Sequence, residues 1–128
     1  MAKHDKHHAL NWFEIPVRDM DRAQGFYEKL LGAPLRREQM GPMTLAVFHY
    51  DEDAVGGCLY AGENQPEPST QGAMVYLNAT PSLDAVLDRV QALGGRITTP
   101  KVQLPGDMGC FAHITDTEGN RVGLHALS

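Results

Sequence analysis

Apolar and polar residues change their period several times along this chain, and each change marks an element. Residues 10–17 (LNWFEIPV) are aromatic and β-branched, as a strand requires, and Pro16 near the end suits a sheet edge. Asp19 or Asp21 then caps a helix to about Leu31. Met20, Ala23, Phe26, Tyr27, Leu30 and Leu31 recur at helical spacing, and Gly32 supplies the C-cap. Three short strands follow at 35–39, 44–50 and 56–60, parted by Gly41-Pro42 and by Asp51-Glu52-Asp53. Residues 62–72 (GENQPEPSTQG) form a connector rich in Pro, Gly and Ser.

After the connector the same order returns. A strand at 73–79 leads to Pro81-Ser82, which starts a helix with the apolar stripe Leu83, Val86, Leu87, Val90 and Leu93, ended by Gly94-Gly95. Strands at 96–98, 110–115 and 121–125 complete the half, the last two joined by the turn Asp116-Thr117-Glu118-Gly119-Asn120. Laying Met20-Asp21 over Leu83-Asp84 superposes the halves at an offset of 63 residues. The expectation is an α+β domain over 10–126, built of two tandem βαβββ modules at 10–61 and 73–126, behind a flexible tail at 1–9. One face of each sheet is covered by its helix. The open faces then form a curved mixed sheet with a central cleft sized for a small molecule.

Composition narrows the classes. The 128 residues are 42% apolar and 21% charged, which suits one soluble domain. A net charge of −5 excludes nucleic-acid binding by bulk charge, and no run of about 20 apolar residues is present to span a membrane. The polar N-terminus is not followed by a signal-peptide core, so a cytoplasmic location is expected. Cys58 and Cys110 form no CxxC, so neither a disulfide scaffold nor a zinc ribbon is indicated. His4, His7 and His8 read as part of a solvated tail, with adventitious metal binding as the alternative.

Residues 11–27 (NWFEIPVRDMDRAQGFY), the glycines of Val55-Gly56-Gly57-Cys58-Leu59, and residues 116–124 (DTEGNRVGL) together resemble the glyoxalase/bleomycin-resistance/extradiol-dioxygenase superfamily, the vicinal oxygen chelate group. The resemblance covers about 10–126. It implies paired βαβββ modules and a homodimer with clefts at the module boundary. Metal-dependent members take ligands, usually His or Glu, from four cleft-facing strand positions. Carried over singly, these fall on Trp12, Cys58, Val75 and Gly123. Trp, Val and Gly cannot ligate through side chains, and a catalytic metal needs about three protein ligands. The expectation is therefore no metal and no cofactor, which counts against glyoxalase I, ring-cleaving dioxygenase and metal-dependent fosfomycin-inactivating activities.

Other residues can still carry chemistry. Glu14 shares a strand face with Trp12, where a carboxylate is either a general base or ligand anchor, or else a structural acid held by amides or an arginine. His113 sits among small and apolar neighbours (CFAHIT) and is either a proton-transfer group or a satisfied core histidine. Trp12, Phe111, Cys58, Val75 and His125 are the candidate ligand-binding set, although Cys58 reads better as a packing thiol than as a nucleophile. Arg121 can pair with a carboxylate or remain a solvated hairpin charge. Two functions follow: a metal-free protein binding a small apolar or aromatic molecule, or a metal-free acid–base enzyme (lyase- or isomerase-like) using Glu14 and His113. A metal-dependent lyase or dioxygenase stands third. The expected partners are a small-molecule ligand and a second copy of the chain, with no nucleic acid and no membrane.

Overall fold

In the computed structural model, which describes residues 7–63 and 66–128, each helix starts at the residue its cap dictates. Strand β1 (Trp12–Pro16) leads to α1 (Met20–Leu31), where Asp19 accepts the Arg22 N–H as N-cap and Gly32 closes the helix at φ 72°. Glycine adopts that left-handed backbone without a Cβ penalty. Strands β2 (Arg36–Met40), β3 (Met43–Val47) and β4 (Gly56–Ala61) complete the first module. The second runs β5 (Tyr76–Asn78), α2 (Leu83–Val90), β6 (Arg96–Gln103), β7 (Cys110–Thr115) and β8 (Arg121–Ala126), with Ser82 as the cap of α2. The helices begin at Met20 and Leu83, so the offset of 63 holds.

Each module forms a four-stranded mixed sheet, in the orders β1-β4-β3-β2 and β5-β8-β7-β6. The first and last strands of each module pair in parallel, and the remaining pairs are antiparallel. β1 is an edge strand, where Pro16 costs no ladder bond. Helix-facing residues of both modules merge into one core that includes Ile15, Phe26, Leu30, Leu59, Leu83, Val90, Ile114 and Leu124. The sheets are not closed into one barrel.

Some boundaries differ from expectation. The helix expected to reach Leu93 ends at Val90, and residues 91–94 are turns leading to Gly94 at φ 99°. The strand expected at 96–98 continues to Gln103, straight through Pro100. β6 is an edge strand and carries two register irregularities, which is where a proline is tolerated. The strand at 73–79 shrinks to three residues, and β3 ends at Val47, three residues early.

The turn between β7 and β8 is a buried polar joint between the modules, beyond the plain hairpin expected of it. Glu118 accepts the backbone N–H groups of Arg18 and Asp19, both at 2.8 Å, and binds the Arg22 guanidinium through Nε at 2.7 Å and Nη2 at 3.1 Å. Asp116 accepts the Tyr27 hydroxyl at 2.6 Å and the N–H groups of Glu118 and Asn120. Asn120 donates to the Pro16 carbonyl at 2.8 Å. Burial works to raise the Glu118 pKa, but hydrogen bonds from the Arg22 guanidinium, the two amides and the Thr117 hydroxyl outweigh it and hold the carboxyl below its ordinary value. Burial and the Asp116 charge push the Tyr27 phenol well above its own. The joint fixes the end of β1 and the start of α1 against β7–β8, and so sets the two open sheet faces relative to each other.

Candidate functional site

Strand alternation sorts the candidates between the two open faces. In the first sheet Phe13, Ile15 and Leu59 turn to the helix-side core, while Trp12, Glu14 and Cys58 turn to the other face. There Cys58 packs in a small second cluster with Leu45 and Val47, flanked by Met43 and Tyr60. Burial first, and then the Glu14 charge, push its thiol up to about 11, opposed by a hydrogen bond from the Trp12 indole. A thiol so placed is protonated at neutral pH, which makes it a packing group rather than a nucleophile. Trp12 also meets Tyr50 edge-to-face at 6.0 Å, beside a cavity bordered by His8, Glu52 and Asp53. Of the other tail histidines, His7 is exposed and His4 lies outside the described residues.

In the second sheet Leu77, Ala112, Ile114 and Leu124 turn inward. Tyr76, Phe111, His113, Gly123 and His125 turn outward, as the pairs Tyr76–Gly123, Phe111–His125 and His113–Gly123 require. Gly123 is the floor of this face. A Cβ there would run into the Tyr76 ring, so the ring lies over the glycine. From that position the Tyr76 hydroxyl reaches His113 Nε2 at 2.8 Å, and His113 Nδ1 meets Thr99 Oγ1 at 3.1 Å. The irregularities in β6 fall on either side of Thr99 and bring it opposite His113. Phe111 closes the group, with ring centroids 5.3 Å from His113 and 6.0 Å from Tyr76. The imidazole of His125 is occupied differently: its Nε2–H donates to the Met108 carbonyl at 2.7 Å and holds the loop after β6.

Two of the sequence assignments change place. The outward position in β5 falls on Tyr76, one residue after Val75; Val75 packs against the core and borders a cavity of about 470 Å³ that Glu14, Tyr60 and Arg121 also line. Glu14 is exposed on the first sheet, while His113 belongs to the Tyr76 group on the second, so the two do not form a hydrogen-bonded pair. A further cavity of about 330 Å³ lies where the sheets approach, lined by Phe13, Phe48, Tyr50 and Gly57 on one side and by Tyr76 and Asn78 on the other. Tyr76 stands outside the candidate ligand-binding set of Trp12, Phe111, Cys58, Val75 and His125. Its signal was the glycine at 123, which leaves an aromatic neighbour room to lie flat.

The family model described as the Glyoxalase/Bleomycin resistance protein/Dioxygenase superfamily matches residues 9–124. The chain belongs to this superfamily. Among solved structures, glyoxalase I from Zea mays is 27% identical, with a TM-score of 0.65 over 92% of this chain and 46% of that one. The chain thus spans about half of the maize protein's length. TnmS3, an antibiotic binding protein from Streptomyces sp. CB03234, is 23% identical with a TM-score of 0.65, covering 95% of this chain and 100% of that one. A glyoxylase/bleomycin resistance protein/dioxygenase domain from Frankia sp. EAN1pec has a TM-score of 0.68 at 16% identity, over 94% and 98% of the two chains. No curated protein matches the sequence.

The resemblance puts the superfamily's four metal-ligand positions on Trp12, Cys58, Val75 and Gly123, and in β5 Tyr76 rather than Val75 turns outward. Indole and glycine offer no metal donor, and Cys58 is a buried, protonated thiol. Among the described residues, no three of His, Cys, Asp and Glu are gathered closely enough to hold an ion. These residues do not fit the superfamily's divalent metal.

Proposed function

We propose that this protein binds a small aromatic molecule without a metal, as a homodimer acting in the cytoplasm. The observation that carries this reading is the aromatic corner of Tyr76, Phe111 and His113 over Gly123. An apolar wall with a few convergent polar groups is the usual make-up of a small-molecule site. The antibiotic binding protein TnmS3, matched along its whole length, lends support. The dimer is supported by exposed apolar side chains on both sheets, among them Met40 and Val102, which a second copy would cover. The cytoplasmic assignment is supported by two unpaired cysteines, and no helix among the described residues is long and apolar enough to cross a membrane.

A thermal-shift screen of aromatic metabolites and antibiotics, with chelator and with added divalent metals, tests the reading. A ligand at a hundredfold its Kd stabilises by roughly 2.7 kcal/mol, several degrees in Tm. Shifts that persist in chelator are expected. Shifts that need metal would sink the metal-free claim.

The hydrogen bond between His113 and Tyr76 favours one second reading, acid–base catalysis with Glu14 as the partner group. With a substrate in hand, Glu14→Gln and His113→Gln would each lower kcat by about 10²–10⁴-fold if they transfer protons. A pure binder loses under tenfold in affinity on Glu14→Gln, about 1.4 kcal/mol.

A further inference from the structure

The four strands of the second sheet contain no carboxylate side chain, in a chain whose net charge is −5. Arg96, Thr115 and Arg121 fall on one row of the ladder, and their parity with His113 puts them on the open face. The remaining strand cation, Lys101, is held by Asp84 of α2 at 3.2 Å. The first sheet differs, for its open face carries Glu14 and the ion pair Arg36–Glu38. The aromatic corner therefore sits on a sheet whose strands carry cations and no acid.

The polar groups of that corner are arranged to donate. Asn78, opposite His125, spends its carbonyl on the Thr80 N–H at 2.9 Å and keeps its NH₂ for a ligand. Tyr76 exchanges a hydrogen bond with His113. In the tautomer that carries Nε2–H, that N–H donates to the phenol oxygen, Nδ1 accepts from the Thr99 hydroxyl, and the Tyr76 O–H is free to donate outward. The guanidinium of Arg121 can only donate, although it borders the cavity that Glu14 and Glu67 also line. A ligand polar end facing these groups must accept hydrogen bonds, and a negative charge is favoured there.

Resting on the binding reading above, we propose that the open face of the second sheet takes an aromatic carboxylate. Its ring lies against Tyr76 and Phe111, and its carboxylate accepts from the Tyr76 hydroxyl that His113 and Thr99 hold in place.

The test uses two probes of one shape, 2-naphthoate and its neutral counterpart 2-naphthamide, titrated into the full chain by calorimetry. NMR amide shifts locate the binding. The carboxylate is expected to bind about tenfold tighter or more, the effect of a hydrogen bond to a charged group. Its shifts should centre on residues 76–78, 111–113 and 121–125. Tyr76→Phe keeps the ring and should remove most of that preference; His113→Gln should act in the same direction. Equal affinity for both probes, or a preference that survives Tyr76→Phe, overturns the carboxylate assignment and leaves aromatic binding intact. Saturable binding of neither probe, nor of any other aromatic compound, removes the binding reading and this inference with it.

Discussion

At the scale of single residues, what decides the site is which polar groups are held and which are left to act. Glu118 is fully engaged, with its carboxylate spread over two backbone amides and the Arg22 guanidinium. Glu118→Ala strands those donors and should destabilise the fold by about 2–4 kcal/mol in urea titration. The folded pKa of Glu118 is depressed. Its contribution is therefore complete above the ordinary glutamate value of about 4.3 and is lost as pH falls through the lower folded value. Stability measured against pH should drop over that acid range in the parent and drop less in Glu118→Gln. A parent and variant with parallel acid limbs would contradict this. Cys58 is the opposite case, a thiol kept protonated by burial with a pKa near 11. At neutral pH a disulfide reagent should modify it on the time scale of unfolding; rapid modification of the native chain would show that the thiol is open and ionised.

At the scale of elements, the helices were the most legible part, because local chemistry sets their ends. Asp19, Ser82 and Gly32 act where the sequence put them. Gly32→Ala places a Cβ on a left-handed backbone and should cost about 1–2 kcal/mol in thermal melts, a loss confined to stability. The strands were less legible, because an edge strand obeys different rules from a central one. Pro100 reads as a breaker in sequence, yet β6 passes through it because that edge lacks a partner for the missing N–H. The same strand's bulges aim Thr99 at His113, and no local pattern in RITTPKVQ signals that. Register also moved the site by one residue, from Val75 to Tyr76, since a three-residue strand offers too little alternation to fix a face from sequence. Gly123 links these elements. Gly123→Ala should push the Tyr76 ring off its floor and separate it from His113, weakening aromatic binding by about tenfold with a much smaller effect on Tm. Unchanged affinity would mean that the ring's position does not matter to the ligand.

At the scale of the whole molecule, the repeat was visible in the order of elements and in the offset of 63, while the joint that fastens the halves was not. Glu118, Asp116 and Asn120 look like turn residues in sequence; only the fold shows them buried against α1 and β1. Two sheets that share one helix-side core but keep separate open faces leave apolar side chains such as Met40 and Val102 uncovered. Light scattering at micromolar concentration is expected to give the mass of two chains; a clean monomer would end the dimer proposal. The central claim, aromatic binding without metal, has a built-in probe. Trp12 is the single tryptophan of the chain and lies partly exposed on the open face of the first sheet. Fluorescence titration of an aromatic ligand into protein held in excess chelator, repeated after adding zinc or manganese, is the most direct measurement. The account predicts saturable quenching with the same Kd under all three conditions. Quenching that vanishes in chelator and returns with metal would contradict it.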